Sequence, residues 1–455
     1  MIEDGIYSIF KKPHGQKDDQ EKLFGMEMYL TPDCNQNCSY CYLCKYKNEL
    51  YPKELRSPET VLKNFEIFLD YCIEEGLLYP YRFDLFSGEI WDLPFGQQAL
   101  EILYNAVCKG FSPGMIVIPS NFSFVLHDDT LNCIENYMEK FQQYKIRICW
   151  SCSNDGWYLD SKTRPFNDEE QYKLKKGTEA YYRRIFNFCK KWNLGFHPMI
   201  SAHGIEHWSE NFKWWIDTLE HEGFSPLTTI MFLEVRNDEW TEEAITHYLK
   251  YLNTSADYML QYLTKSAVDE AEGLMLFQKW VHHKLKLGVA GGNYTPLAIT
   301  KDRLHPGCTI HRSLIVRLGD LAIVPCHRTS YDEFIGGHYQ VEDDKIVGIQ
   351  AKNIQIMNQI WMSNHMGSAK CGGCPYMAYC MKGCFGSQFE TNRELLYPCN
   401  TVCDLYKAKF FFLYHKYSKM NILNEPGDKE FIELVKSLEE TEDYKKWTEI
   451  ITSII

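Results

Sequence analysis

Cys34, Cys38 and Cys41 lie close together in the segment Leu30-Thr31-Pro32-Asp33-Cys34-Asn35-Gln36-Asn37-Cys38-Ser39-Tyr40-Cys41. Thiolates at this spacing suit iron or zinc. A structural zinc site closes with four protein ligands. Three thiolates leave one position open, which in an iron–sulfur cubane is one iron free to take a non-protein ligand. The zinc alternative would draw its fourth ligand from Cys44 or a distant His. Eight further cysteines, Cys308, Cys326, Cys371, Cys374, Cys380, Cys384, Cys399 and Cys403, crowd the last third of the chain. Those between, Cys72, Cys108, Cys133, Cys149, Cys152 and Cys189, are scattered and read as packing residues.

The elements that must position these thiols alternate. Short apolar runs predict strands at 25–31, 82–86, 115–119, 147–153, 195–201 and 228–235. Amphipathic helices are expected between them, starting near Ser57, Asp128, Gly177, Ser209 and Thr241. Ser57-Pro58-Glu59 is an N-cap followed by proline at the first helical position. Val61, Leu62, Phe65, Phe68, Leu69 and Cys72 then recur at helical spacing. Strands alternating with helices imply a parallel sheet of βα units, a partial barrel with its chemistry at the C-terminal ends of the strands. The Cys34–Cys41 loop directly follows the first strand. Ser87-Gly88-Glu89 follows the second and Asn121 the third. Ser153 closes the fourth, Ser201 the fifth, and Arg236 follows the sixth. Taken singly, each is an ordinary turn or cap residue.

C-x3-C-x2-C with an aromatic before the last cysteine resembles the signature of radical S-adenosylmethionine (SAM) enzymes. Ser87-Gly88-Glu89 resembles that family's Gly-Gly-Glu, with Ser in place of the first Gly. Pro119-Ser120-Asn121 resembles its Thr-Asn-Gly, and Ser153-Asn154-Asp155-Gly156 its Ser-x-Asp-Gly. The resemblance implies an α/β fold, a partial (β/α)6 radical SAM barrel. It implies a SAM-binding [4Fe-4S] cluster on Cys34, Cys38 and Cys41, with SAM contacts from Ser87, Gly88, Glu89, Asn121, Ser153, Ser201 and Arg236. Reductive cleavage of SAM would give a 5′-deoxyadenosyl radical.

Cys308, Gly319 and Cys326, then Cys371-x2-Cys374-x5-Cys380-x3-Cys384, then Cys399 and Cys403, resemble the SPASM domain, although the Gly319–Cys326 spacer is longer than the family's. That implies a C-terminal Cys-rich domain with two auxiliary [4Fe-4S] clusters, three in all. Cys371, Cys374, Cys380 and Cys403 would hold the distal one. Cys308, Cys326 and Cys384 would hold the proximal one, completed by Cys399 or left open. The expected organisation is an N-terminal extension (1–23), the barrel (24–290), the SPASM domain (291–410) and a helical tail (411–455). The boundary falls in the Gly-rich stretch near 288–293, and the tail helices near 428–438 and 444–455.

SPASM enzymes mostly modify peptides and proteins. One branch oxidises a Cys or Ser of sulfatases to formylglycine and carries Asp, the proposed base, after the second proximal-cluster cysteine. Here that residue is His327, a candidate proton acceptor because imidazole titrates near neutrality. Pro325-Cys326-His327-Arg328 looks more like maturases of ribosomally made peptides, which form crosslinks, thioethers or epimers. The leading expectation is such an oxidoreductase. A sulfatase-maturase-like oxidation and a zinc-binding interaction protein are the alternatives.

An electron donor such as flavodoxin or ferredoxin would be required. Neither terminal segment has the length of a leader-binding module, so a separate leader-binding protein or the barrel surface would serve. A net charge of −13 argues against nucleic acid and anionic membranes as partners. No apolar run is long enough for a membrane span and no signal peptide is visible, so a cytoplasmic location is expected. In that reducing compartment the 18 cysteines would be thiols or metal ligands, not disulfides.

Overall fold

The computed structural model describes residues 11–13, 25–168, 178–282, 297–299, 313–362, 368, 370–380 and 383–455. Cys308 and the expected boundary near 288–293 lie outside these residues. The longer elements run, in chain order, β1 (Gly25–Thr31), α1 (Tyr42–Leu50), α2 (Pro58–Glu74), β2 (Arg82–Ser87), α3 (Pro94–Cys108), β3 (Met115–Ser120), α4 (Asp128–Gln143), β4 (Arg147–Cys152), α5 (Glu179–Trp192), β5 (Met199–Ile200), α6 (Trp208–His221), β6 (Leu233–Glu234), α7 (Glu242–Lys265) and α8 (Glu270–Val281). Next come β7 (Ser313–Arg317), β8 (Ala322–Val324), β9 (Gly337–Glu342), β10 (Lys345–Ala351), α9 (Ile354–Met362), α10 (Phe385–Asn392), α11 (Asn400–Lys419), α12 (Asp428–Ser437) and α13 (Glu442–Ile454).

The chain forms two compact units. The first comprises Met1–Ser153, Pro165–Leu194 and Cys308–Ser363; the second comprises Asn154–Arg164, Gly195–Gly307 and Asn364–Ile455. The first holds an eight-stranded sheet ordered β10-β9-β8-β7-β1-β2-β3-β4. Pairing is parallel from β7 through β1, β2 and β3 to β4, and antiparallel from β7 through β8 and β9 to β10. β1 is buried along its whole length, as a strand covered on both faces must be. α2 turns Val61, Phe65, Phe68, Leu69 and Cys72 inward, and Phe65 stacks on Phe83 of β2. Ser57 stands at the N-cap of α2, but its side chain makes no capping bond.

The second unit is built mainly of helices. Trp208 and Phe212 of α6 pack on Tyr251 of α7, and Trp240 packs on Tyr248. Its two strands pair only with each other among the described residues. The runs expected at 195–201 and 228–235 shorten to two residues each, with one extra parallel bridge between Phe196 and Ile230. Pro198 has no N–H to give a ladder. Ser225-Pro226 starts a helical turn, Pro226–Thr229, where the second run was expected to begin as strand. α5 begins at Glu179, two residues after the expected start at Gly177, and the Thr178 hydroxyl caps it by accepting from Tyr181 N. α3 lies outside every expected start, although Pro94 at its first turn and buried Phe95, Ala99, Leu100 and Leu103 mark it. No described helix is long and apolar enough to cross a membrane.

Candidate functional site

β1 ends at Thr31 and the chain runs straight into the cysteine loop. Gly88 N donates to Thr31 O at 2.8 Å and Glu89 N to Asp33 O at 2.9 Å, so the segment after β2 lies along this loop. The fit requires glycine at 88, because a Cβ there would stand 2.1 Å from the Asp33 carbonyl oxygen. Asn35 braces the loop from the other side. Its amide donates to Asp92 at 2.9 Å and to Ser123 at 2.7 Å, and its oxygen accepts from Asn121 Nδ2 at 2.7 Å. Asn167 N and Nδ2 donate to Asn35 O and Cys34 O.

The three thiols are partly buried. Burial pushes the Cys34 thiol well above its ordinary pKa, and neighbouring Cys38, Glu89 and Cys41 add to the effect. Cys41 is raised by its hydrogen bond to Cys44 and by burial. Crowded soft donors that resist ionisation on their own fit a soft polycationic group such as an iron–sulfur cluster. Among the described residues, no three His, Cys, Asp or Glu side chains converge to hold a single metal ion.

Glu89 is buried, and burial together with the Asp92 charge pushes its carboxyl up to about 8. It accepts from Ser120 Oγ at 3.0 Å and from Asn121 N. Ser87 is buried with its hydroxyl unpartnered, and Ser153 N donates to Ser120 O. Ser87, Gly88, Glu89 and Asn121 therefore gather around the cysteine loop, and Ser153 is tied to the end of β3.

Ser201 and Arg236 belong to the second unit. Ser201 is fully buried and donates to His203 O at 2.7 Å. Arg236 is hydrogen-bonded to the Tyr406 hydroxyl. In the same unit Asp155 forms a buried ion pair with Arg164 at 2.9 Å and accepts from Met199 N at 3.0 Å, fastening the Asn154-Asp155-Gly156 turn to β5.

Cys326 caps a short turn of helix at His327–Thr329, its sulfur accepting from Arg328 N at 3.4 Å. His327 Nδ1 lies 2.6 Å from Glu27 Oε1, and its ring stacks on Phe86 at 3.8 Å between centroids. Cys371, Cys374, Cys380 and Cys403 line one cavity of about 500 Å³, together with Lys370, Tyr406 and Lys407. Burial raises the Cys403 thiol, although the nearby Lys370 ammonium opposes the shift. Cys384 and Cys399 precede α10 and α11 as cap residues, Cys399 Sγ lying 3.2 Å from Thr401 Oγ1.

Sequence reasoning missed Glu27, Asn35, Asp92 and Ser123. Glu27 was detectable as an acid inside the apolar run Gly-Met-Glu-Met-Tyr-Leu-Thr. The other three lie in the connections after β1, β2 and β3, with Asn35 separated from Asp92 and Ser123 by 57 and 88 positions.

No family model matches the chain, and no curated protein matches it. Solved structures do. Native anSMEcpe with bound AdoMet aligns over 88% of this chain and 100% of that one, with a TM-score of 0.51 and 15% identity. The same protein with AdoMet and the Cp18Cys peptide covers 88% and 98%, with a TM-score of 0.50 and 16% identity. With the Kp18Cys peptide the coverage and TM-score are the same, at 15% identity. anSMEcpe is an anaerobic sulfatase-maturating enzyme of the radical SAM SPASM type. At this identity the likeness shows the fold alone: the chain shares the α/β fold of anSMEcpe.

Proposed function

We propose that this chain, which has the fold of a protein solved with AdoMet, is a radical SAM enzyme of the SPASM type that modifies a ribosomally made peptide. The observation that carries the reading is the three-thiol loop at the end of β1, bonded through its backbone to Ser87-Gly88-Glu89 after β2. Cys34, Cys38 and Cys41 would hold a [4Fe-4S] cluster with one iron open to SAM. When bound, cluster and SAM supply a 5′-deoxyadenosyl radical that takes hydrogen from the peptide.

The chain's own residues do the rest. Glu89 suits a cationic amine, since an ammonium would offset the burial that now holds its carboxyl near 8. Asn121 keeps Asn35 and the cysteine loop in place. Ser153, Ser201 and Arg236 remain candidate SAM contacts. Glu27 orients His327, whose Nε2 would accept the substrate proton. The cavity lined by Cys371, Cys374, Cys380 and Cys403 would take the distal auxiliary cluster. Cys308, Cys326 and Cys384 would hold the proximal one, with Cys399 as its fourth ligand or that position open. A flavodoxin or ferredoxin would supply electrons, and a separate leader-binding protein or the barrel surface would take any leader.

A second reading is oxidation of a peptide Cys or Ser, as in sulfatase maturation. The peptide-bound anSMEcpe structures favour it, and the His327–Glu27 pair can serve as base in either case. Anaerobic reconstitution tests the common part. The triple variant Cys34→Ala, Cys38→Ala, Cys41→Ala should keep about eight of about twelve irons and lose all cleavage of SAM to 5′-deoxyadenosine. Continued cleavage under dithionite, or a colourless zinc protein, defeats the reading. Mass analysis with the Cp18Cys peptide separates the two substrates: conversion of its Cys to an aldehyde supports the second.

A further inference from the structure

Gln36 stands in the cysteine loop between Cys34 and Cys38, all three in the first unit. It is 3% exposed, and the backbone around it is held: Gln36 bridges to Phe166, and Asn37 N donates to Pro165 O at 2.9 Å. Gln36 N donates to Cys34 Sγ at 3.4 Å. The side chain reaches the next cysteine, where Oε1 accepts from the Cys38 thiol at 3.7 Å. Nε2, the other end of the same amide, is buried and makes no hydrogen bond. A buried donor with no acceptor is costly and calls for a partner. This orientation suits a protonated thiol. A cysteine that ligates iron has lost its S–H, so its sulfur accepts hydrogen bonds and cannot donate them. A carbonyl oxygen facing that thiolate is repelled. A half-turn of the amide exchanges its two ends, which are alike in size, and brings the unused N–H groups to the sulfur.

We propose that the Gln36 amide donates a hydrogen bond to the Cys38 sulfur of the cluster held by Cys34, Cys38 and Cys41, and so raises that cluster's reduction potential. This rests on the reading that the three thiols hold a cluster. A hydrogen bond to a cluster sulfur stabilises the reduced form, which carries the extra negative charge, and hydrogen bonding is among the factors that set cluster potentials. Gln36 is thus a positioning residue that acts through Cys38 and makes the cluster easier to reduce.

The test is Gln36→Met, which keeps the length of the side chain and removes the donor, beside Gln36→Glu, which keeps its shape. Iron per chain is counted, and an anaerobic redox titration without SAM is followed by electron paramagnetic resonance. The triad signal is the one missing from the triple cysteine variant. Iron content should stay at the wild-type value. In Gln36→Met the triad signal should move to lower potential while every other signal stays. In Gln36→Glu an ionised carboxylate only accepts, whereas a protonated one regains a donor. Its triad potential should therefore lie below wild type and climb back towards it as pH is lowered. An unmoved triad potential in Gln36→Met, no climb in Gln36→Glu, or loss of the triad irons in both variants makes Gln36 a brace of the loop, and the proposal fails while the enzymatic reading stands. If the triple cysteine variant holds as much iron as the wild type, both fail.

Discussion

His327 Nδ1 lies 2.6 Å from the Glu27 carboxylate, and the ring is fixed in place by Phe86. With Nδ1–H donated to Glu27, the lone pair is assigned to Nε2. His327→Ala should lower product formation about 10²-fold, the scale of a lost general base. SAM cleavage should fall much less. Glu27→Gln should uncouple the two in the same direction by a smaller factor. Equal losses of product and 5′-deoxyadenosine, with iron lost as well, would make the pair structural. The imidazole was legible in the sequence because it follows a cysteine of the motif; its pairing with Glu27 was not, because Glu27 lies 300 positions away. Asp84, which pairs in register with Glu27, gives a pH prediction. Burial raises its carboxyl from 3.8 to about 7 although Arg82 opposes the shift. The native state therefore binds more protons than the unfolded chain between these values, and stability falls as pH rises through that window. Asp84→Asn should flatten the fall, read as the urea midpoint against pH. An unchanged slope would show that Asp84 is not its source.

At the scale of elements, legibility followed hydrogen bonding. β1 to β4 could be read because each is an apolar run of six or seven residues in one ladder. β5 and β6 were overestimated because Pro198 interrupts the first run and the helical turn Pro226–Thr229 takes the start of the second, although both compositions look like strand. The close contact between the cysteine loop and the segment after β2 was signalled in the sequence only by Ser87-Gly88-Glu89. Gly88→Ala puts a methyl group 2.1 Å from the Asp33 carbonyl, so the two segments must separate. Strain of about 1–3 kcal/mol is typical of such forced backbone shifts and small against the whole fold. The variant should keep its circular dichroism spectrum but bind SAM about 5- to 150-fold more weakly, since 1.4 kcal/mol is a factor of ten. Equilibrium dialysis against SAM checks this, and wild-type affinity would show that the contact positions nothing.

Over the whole molecule, cysteine crowding suggested one boundary near 288–293, but the strands do not respect chain order. β7 lies beside β1, pairing Gly25 with Ser313 through to Tyr29 with Arg317, so residues on the far side of that stretch complete the first unit's sheet. Composition cannot reveal this, because β7 reads as an ordinary apolar strand. The arrangement has a consequence for dissection. A fragment ending at residue 299 retains β1 to β4 but strips β1 of its partner on one side. Met26, Met28 and Leu30, all fully buried in the chain, would then sit on an open edge strand, the usual template for aggregation. The fragment should be mostly insoluble. Any soluble portion should exchange its amides at 26–29 faster than the full chain does under the same conditions. A soluble monomeric fragment with those amides still protected would mean that β1 to β4 form a sheet without β7, and that the cysteine loop needs nothing beyond residue 299 to hold its shape.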